Sequence, residues 1–105
     1  MANKSGLRHR DIEPAHPGEF LDEIVIPATG KTKTEIADLL GVSRQTLYDV
    51  TKKKQVVTPN LALRLGKLFG DGPEVWLRMQ MEHDLWAVRK ANAAVIEKIP
   101  TLATA

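Results

Sequence analysis

The sequence predicts an all-α chain. Apolar residues recur three and four apart in five successive stretches, Gly and Pro fall between those stretches, and no stretch alternates apolar with polar residues as a half-buried strand would. With 105 residues, 43% of them hydrophobic, the chain can bury one modest core without crosslinks or metal, so a single domain over residues 16–98 is expected.

Residues 1–15 are polar and aperiodic and are expected to form a flexible arm. The first helix begins at His16-Pro17-Gly18-Glu19 and carries Phe20, Leu21, Ile24 and Val25. Proline suits its first turn, Glu19 suits the positive end of its dipole, and Pro27 and Gly30 are expected to stop it. Thr34 is expected to cap the second helix, where Ile36, Ala37, Leu39 and Leu40 keep helical spacing until Gly41. Ser43 caps a third helix over Gln45–Val50, with Leu47 and Val50 on one face and a Lys-Lys-Lys-Gln tail suited to a helix C-terminus. Thr58 caps a fourth helix that starts at Pro59 and turns Leu61, Leu65 and Leu68 inward, and Gly70-Asp71-Gly72-Pro73 closes it. The fifth helix runs from Pro73 to about Lys98 with two apolar stripes. Val75, Met79 and Trp86 mark one, and Leu77, Met81, Leu85, Val88 and Val95 mark the other: one stripe serves the core and the other needs a partner. Residues 99–105 are expected to fray.

Composition removes several functions. The chain has no cysteine, which excludes disulfides, thiolate metal sites and cysteine nucleophiles. No run is long and apolar enough to span a membrane and the start lacks the apolar centre of a secretory signal, so a cytoplasmic address is expected. The formal net charge of +2 says little, but its distribution says more. Residues 11–26 carry Asp11, Glu13, Glu19, Asp22 and Glu23 with no cation, whereas residues 31–54 hold six of the fifteen Lys and Arg against three acids. The chain therefore presents one acidic and one basic surface.

The basic surface coincides with a geometric motif. Two short helices crossing steeply need a small residue at the crossing, a turn able to take positive φ, and an apolar plug beneath it. Ala37, Gly41 and Val42 fill those roles, with Ile36, Leu47 and Val50 anchoring both helices. What remains points outward: Arg44, Gln45 and Tyr48 on the first turns of the second helix of the pair, the part that enters a DNA major groove. Arg donates two bonds to guanine and Gln pairs with adenine, so Arg44 and Gln45 are the candidates for base reading. Lys33 and Thr34 begin the preceding helix, where a cation and free amides suit a phosphate, while Ser43, Thr46, Lys52, Lys53 and Lys54 complete the backbone-contacting set. A helical hairpin with merely solvated Arg44 and Gln45 would not concentrate cations here.

The run from His16 to Leu21, the core from Glu35 to Thr46, Thr58-Pro59 with Ala62 to Leu65, and Gly72 to Leu77 with Asp84-Leu85-Trp86 together resemble the HigA family of antitoxins over about residues 14–90. The resemblance implies a five-helix, lambda-repressor-like DNA-binding domain with a long C-terminal helix. It also implies a homodimer on a palindromic operator in its own promoter, and neutralisation of a small basic ribonuclease toxin. Two positions depart from the family pattern: the usual glycine after the second motif helix lies within Lys52-Lys53-Lys54-Gln55, and Tyr48 replaces a usual polar residue. From the residues alone, a phage-repressor-type regulator without a toxin remains the alternative, and a motif used only for protein contact a more distant one.

Other residues read more simply. His9, His16 and His83 lie far apart in sequence, and Glu82-His83-Asp84 do not share a helix face, so no metal or other cofactor is expected; His16 is expected to cap or pack at the first helix. Glu19, Asp22 and Glu23 form a solvated face or a docking surface for a basic partner. Trp76 and Trp86, ten apart, are expected in the core or a dimer contact. No catalytic constellation emerges, so the chain is not expected to be an enzyme.

Overall fold

The computed structural model describes residues 12–103. Residues 1–11, and with them most of the expected arm and His9, lie outside the described residues. The described residues hold helices and no strand. We number five helices. Helix α1 joins Pro17–Phe20, a π turn over Leu21–Val25, and Ile26–Thr29; α2 is Lys33–Leu40, α3 Arg44–Thr51, α4 Pro59–Phe69 and α5 Pro73–Glu97.

Local chemistry sets most of the boundaries. His16 caps α1 as expected, its Nδ1 accepting from the Gly18 N–H at 2.9 Å. Pro27 does not stop that helix, which continues to Thr29 and ends at Gly30 with φ 72°. The Ile26 N–H reaches back five residues to the Leu21 carbonyl, so the turn has already widened where proline offers no donor. The cap of α2 is Thr32 rather than Thr34. Thr32 Oγ1 accepts from the Glu35 N–H at 3.1 Å and Glu35 Oε1 accepts from the Thr32 N–H at 2.8 Å, a reciprocal pair that satisfies two free donors where Thr34 alone would satisfy one. Ser43 and Thr58 cap α3 and α4 as the sequence indicates.

Packing gathers the apolar faces of all five helices into one core. Leu21, Ile36, Leu47, Val50, Leu65 and Trp76 are among its fully buried members. Helix α4 lies along the first half of α5, and α3 packs on α1 and α2. Trp76 is the anchor of α5: it has no exposure, its ring meets Phe20 and Phe69 at 5.9 and 6.2 Å, and its Nε1–H donates to Asp71 at 3.1 Å. The core stripe therefore runs through Trp76 and Gln80, with Val75, Leu77 and Met79 half-buried beside it. Leu77 faces the core, and Trp86, half-buried under Lys90, does not reach it, which divides the expected stripes differently from the sequence pattern. Two glycines permit close approach. A Cβ on Gly18 would lie 1.8 Å from the Val50 carbonyl oxygen at the end of α3, and one on Gly66 would lie 2.3 Å from the backbone of Gly72.

Candidate nucleic-acid interface

Helices α2 and α3 form the helix-turn-helix, and their junction is fixed from both sides. Ala37 is buried at the crossing, and Gly41 adopts φ 74°. The Val42 N–H then donates to Ala37 O at 3.1 Å and the Gly41 N–H to Asp38 O at 3.2 Å. Arg64 of α4 supports the same turn, donating from Nη1 to Leu40 O at 2.9 Å. Ile36, Leu47 and Val50 hold the pair to the core, with Val42 packed beneath the turn.

Orientation of α3 follows from that anchoring. With Leu47 and Val50 inward, Arg44, Gln45 and Tyr48 are exposed on one outer face. Ser43 Oγ accepts from the Thr46 N–H at 3.0 Å and donates to Thr46 Oγ1 at 2.8 Å, which fixes the first turn of the helix. Gln45 donates to Asp49 Oδ1 at 2.8 Å one turn on, so its amide is held extended along the helix. Lys33 comes from α2 to the same surface: its Nζ pairs with Asp22 of α1 at 2.6 Å and stands 4.9 Å from the Tyr48 ring centroid. Thr34 lies beside it, exposed at the second position of α2. The fold thus brings Lys33 of α2 against Tyr48 of α3, on the helix that also exposes Arg44 and Gln45. The hydrogen bonds from Thr32, backbone first and side chain second, hold the Glu35 carboxyl below the usual carboxylate range.

Past α3 the three lysines turn away from the helix. Lys53 has φ 64°, the left-handed backbone that glycine usually supplies, with the Lys53 N–H bonded to Val50 O at 3.0 Å and the Lys54 N–H to Asp49 O at 2.7 Å. Lys53 lies within the Lys52–Gln55 run at which the sequence departs from the family pattern. Lys52, Lys53, Lys54 and Arg44 are exposed and have no ion-pair partner among the described residues.

Three supports were not legible beforehand: Asp22 holding Lys33, Asp49 holding Gln45, and Gln80 holding the loop beyond the lysines. Buried Gln80 accepts from the Val57 N–H at 2.8 Å and donates to Asp84 at 3.0 Å. The same region unites two histidines that the sequence separates, since the His16 and His83 rings stand 5.0 Å apart, edge to face. His16 Nδ1 already accepts from Gly18, so its neutral ring carries the proton on Nε2, and the 3.4 Å approach of that nitrogen to Gln80 Nε2 is no hydrogen bond. Burial first, and then His83, push the His16 pKa down from its ordinary value. Among the described residues no group of three or more metal-ligating side chains converges, and no helix is long and apolar enough to cross a membrane.

No family profile matches the chain. Antitoxin HigA-1 of Vibrio cholerae, however, is 31% identical over 83 residues, covering 79% of this chain and 78% of that relative. The chain belongs to the HigA family of antitoxins. Virulence-associated protein I of Dichelobacter nodosus is 34% identical over 90 residues, 86% of this chain and 83% of its own length. Among solved structures, antitoxin HigA of Pseudomonas aeruginosa with the higBA promoter matches with TM-score 0.79 at 28% identity, over 86% of this chain and 99% of that one. Antitoxin GraA in complex with its operator matches with TM-score 0.79 at 29% identity, over 98% and 100%. The all-α architecture is that of HigA, and these relatives are antitoxins and helix-turn-helix regulators, the non-enzymatic class the sequence pointed to.

Proposed function

We propose that this HigA-family chain acts in the cytoplasm as a homodimeric repressor of its own operon and as the antitoxin of a small basic ribonuclease encoded beside it. The observation that carries the DNA half is the exposed row of Arg44, Gln45 and Tyr48 on an α3 whose orientation the core fixes, flanked by Lys52–Lys54, which have no ion-pair partner among the described residues. Arg44 and Gln45 read base edges in the major groove, Tyr48 lines the groove wall, and Lys33, Thr34, Ser43, Thr46 and the three lysines hold phosphates. Two copies about a two-fold axis set two α3 helices roughly 34 Å apart, one DNA turn, on a palindromic operator. The relatives solved on promoter or operator DNA support this reading.

The acidic face of α1 supplies the second half. Glu19 and Glu23 remain without an ion-pair partner among the described residues, and a basic toxin complements them. The test joins both halves. A reporter behind the chain's own upstream DNA is expected to be repressed by the wild type and released by an Arg44→Ala/Gln45→Ala double variant. The same double variant is expected still to relieve growth arrest by the neighbouring gene product. A neighbouring product that is harmless would leave a stand-alone regulator.

A further inference from the structure

The cations assigned to DNA do not start out alike. Arg44, Lys52, Lys53 and Lys54 are exposed with no ion-pair partner among the described residues, whereas Lys33 is half-buried and already engaged. Its Nζ lies 2.6 Å from Asp22 Oδ1 on one side and 4.9 Å from the Tyr48 ring centroid on the other, so carboxylate and ring hold the ammonium between them. Both ends of the pair are anchored. Asp22 follows Leu21, whose full burial ties the π turn of α1 to the core, and Lys33 opens α2 at a start that the Thr32–Glu35 bonds fix. Side-chain exposures of 35% for Asp22 and 27% for Lys33 nevertheless leave the pair open to water, so a phosphate oxygen can reach the ammonium and displace the carboxylate.

We propose that Asp22 is a positioning residue of the DNA face that acts as a brake on affinity: in the free chain it holds Lys33 against Tyr48, and it competes with the DNA backbone for that lysine. The inference rests on the DNA reading proposed above and concerns one phosphate contact of that site. A lysine that comes to DNA from water neutralises a phosphate and releases about one condensed counterion. A lysine drawn off a carboxylate releases the same counterion but leaves the carboxylate bare beside the backbone, where it recruits a cation in turn. Lys33 therefore adds almost nothing to the salt dependence of the complex, while Lys52, Lys53 and Lys54, which start without a partner, each add their full share. The freed carboxylate also repels the phosphates around it, and it does so on every DNA, because the backbone carries no sequence information. Asp22 thus sets how tightly the chain holds DNA and leaves the choice of sequence to Arg44 and Gln45.

Titration of the full chain with its own upstream DNA and with unrelated DNA, each over a salt series, is the test. Asp22→Asn is expected to bind both roughly twofold to fivefold tighter at about 0.15 M salt, the range an exposed ion pair covers, and its log–log salt slope is expected to steepen by about one. Because Asp22 acts through Lys33, an Asp22→Asn/Lys33→Ala double variant is expected to keep the slope of Lys33→Ala alone. Asp22→Glu, which restores a carboxylate, is expected to return affinity and slope toward the wild type. An Asp22→Asn complex that is weaker or no steeper in salt, or one that steepens equally without Lys33, overturns the brake and leaves the DNA reading in place. A wild-type chain that binds no DNA overturns the two together.

Discussion

Lys53 combines two demands at one position: its backbone is left-handed to close α3, and its side chain belongs to the basic row beyond it. Replacing Lys53 by Gly relieves a left-handed cost of about 1–2 kcal/mol and adds unfolded-chain entropy of about 0.5–1 kcal/mol. Urea denaturation is therefore expected to show a gain of roughly 0.5–1 kcal/mol. Operator titration over a salt series is expected to show a weaker complex whose salt slope has fallen by about one. At Gly18 the constraint is steric instead. A methyl would meet the Val50 carbonyl, which is backbone and cannot rotate aside, so Gly18→Ala is expected to destabilise the fold by at least about 2 kcal/mol in the same assay. The sequence signalled Gly41 through its place in the motif, and the run Lys52–Gln55, without singling out Lys53, as a departure from pattern. It could not signal Gly18 or Gly66 physically, because the atoms each would strike belong to segments brought near only by tertiary packing. The outward set Arg44, Gln45 and Tyr48 was legible, since two inward apolar residues three apart fix the azimuth of a short helix. Their holders, Asp22 and Asp49, were not read in advance.

Helices α1, α3 and α5 meet where α1 begins. His16 caps α1 through a neutral Nδ1 while its ring sits buried against His83 and Gln80, with Asp84, Lys53 and Glu19 the other charges that act on it. Its folded pKa lies below 6.5, so between the two values the unfolded chain binds a proton that the native chain excludes. This contribution to stability is complete above pH 6.5 and is lost as the pH falls through the lowered folded value. Urea midpoints are accordingly expected to drop as the pH falls from neutral through that range. A His16→Asn variant, which keeps a capping acceptor without a titrating ring, is expected to show a flatter profile. Gln80 ties α5 to the loop after α3. Gln80→Leu leaves the Val57 N–H buried and unpaired and is expected to cost about 1–3 kcal/mol. Helix boundaries were legible where one residue decides them, as at Ser43, Thr58, Gly41 and Gly70. They were misread where two cooperate: the reciprocal Thr32–Glu35 bonds displace Thr34, and the π turn carries α1 through Pro27.

At the scale of the whole molecule, acidic α1 adjoins the basic α2–α3 face through the Asp22–Lys33 pair, while α5 is exposed from Val88 onward. The overall architecture was legible from periodicity and turn residues. The split of α5 into a core half and a free half was visible only as two stripes, since periodicity fixes which residues share a face but not where the body ends. The α3 face is proposed to read a specific DNA sequence. It is tested most directly by titrating the purified full chain against a labelled fragment of its own upstream DNA, at about 0.15 M salt, with unrelated DNA of equal length as competitor. A preference of roughly a thousandfold for its own fragment is expected, as for specific regulators. Equal affinity for both DNAs, abolished together by added salt, would contradict it and reduce the basic face to nonspecific attraction.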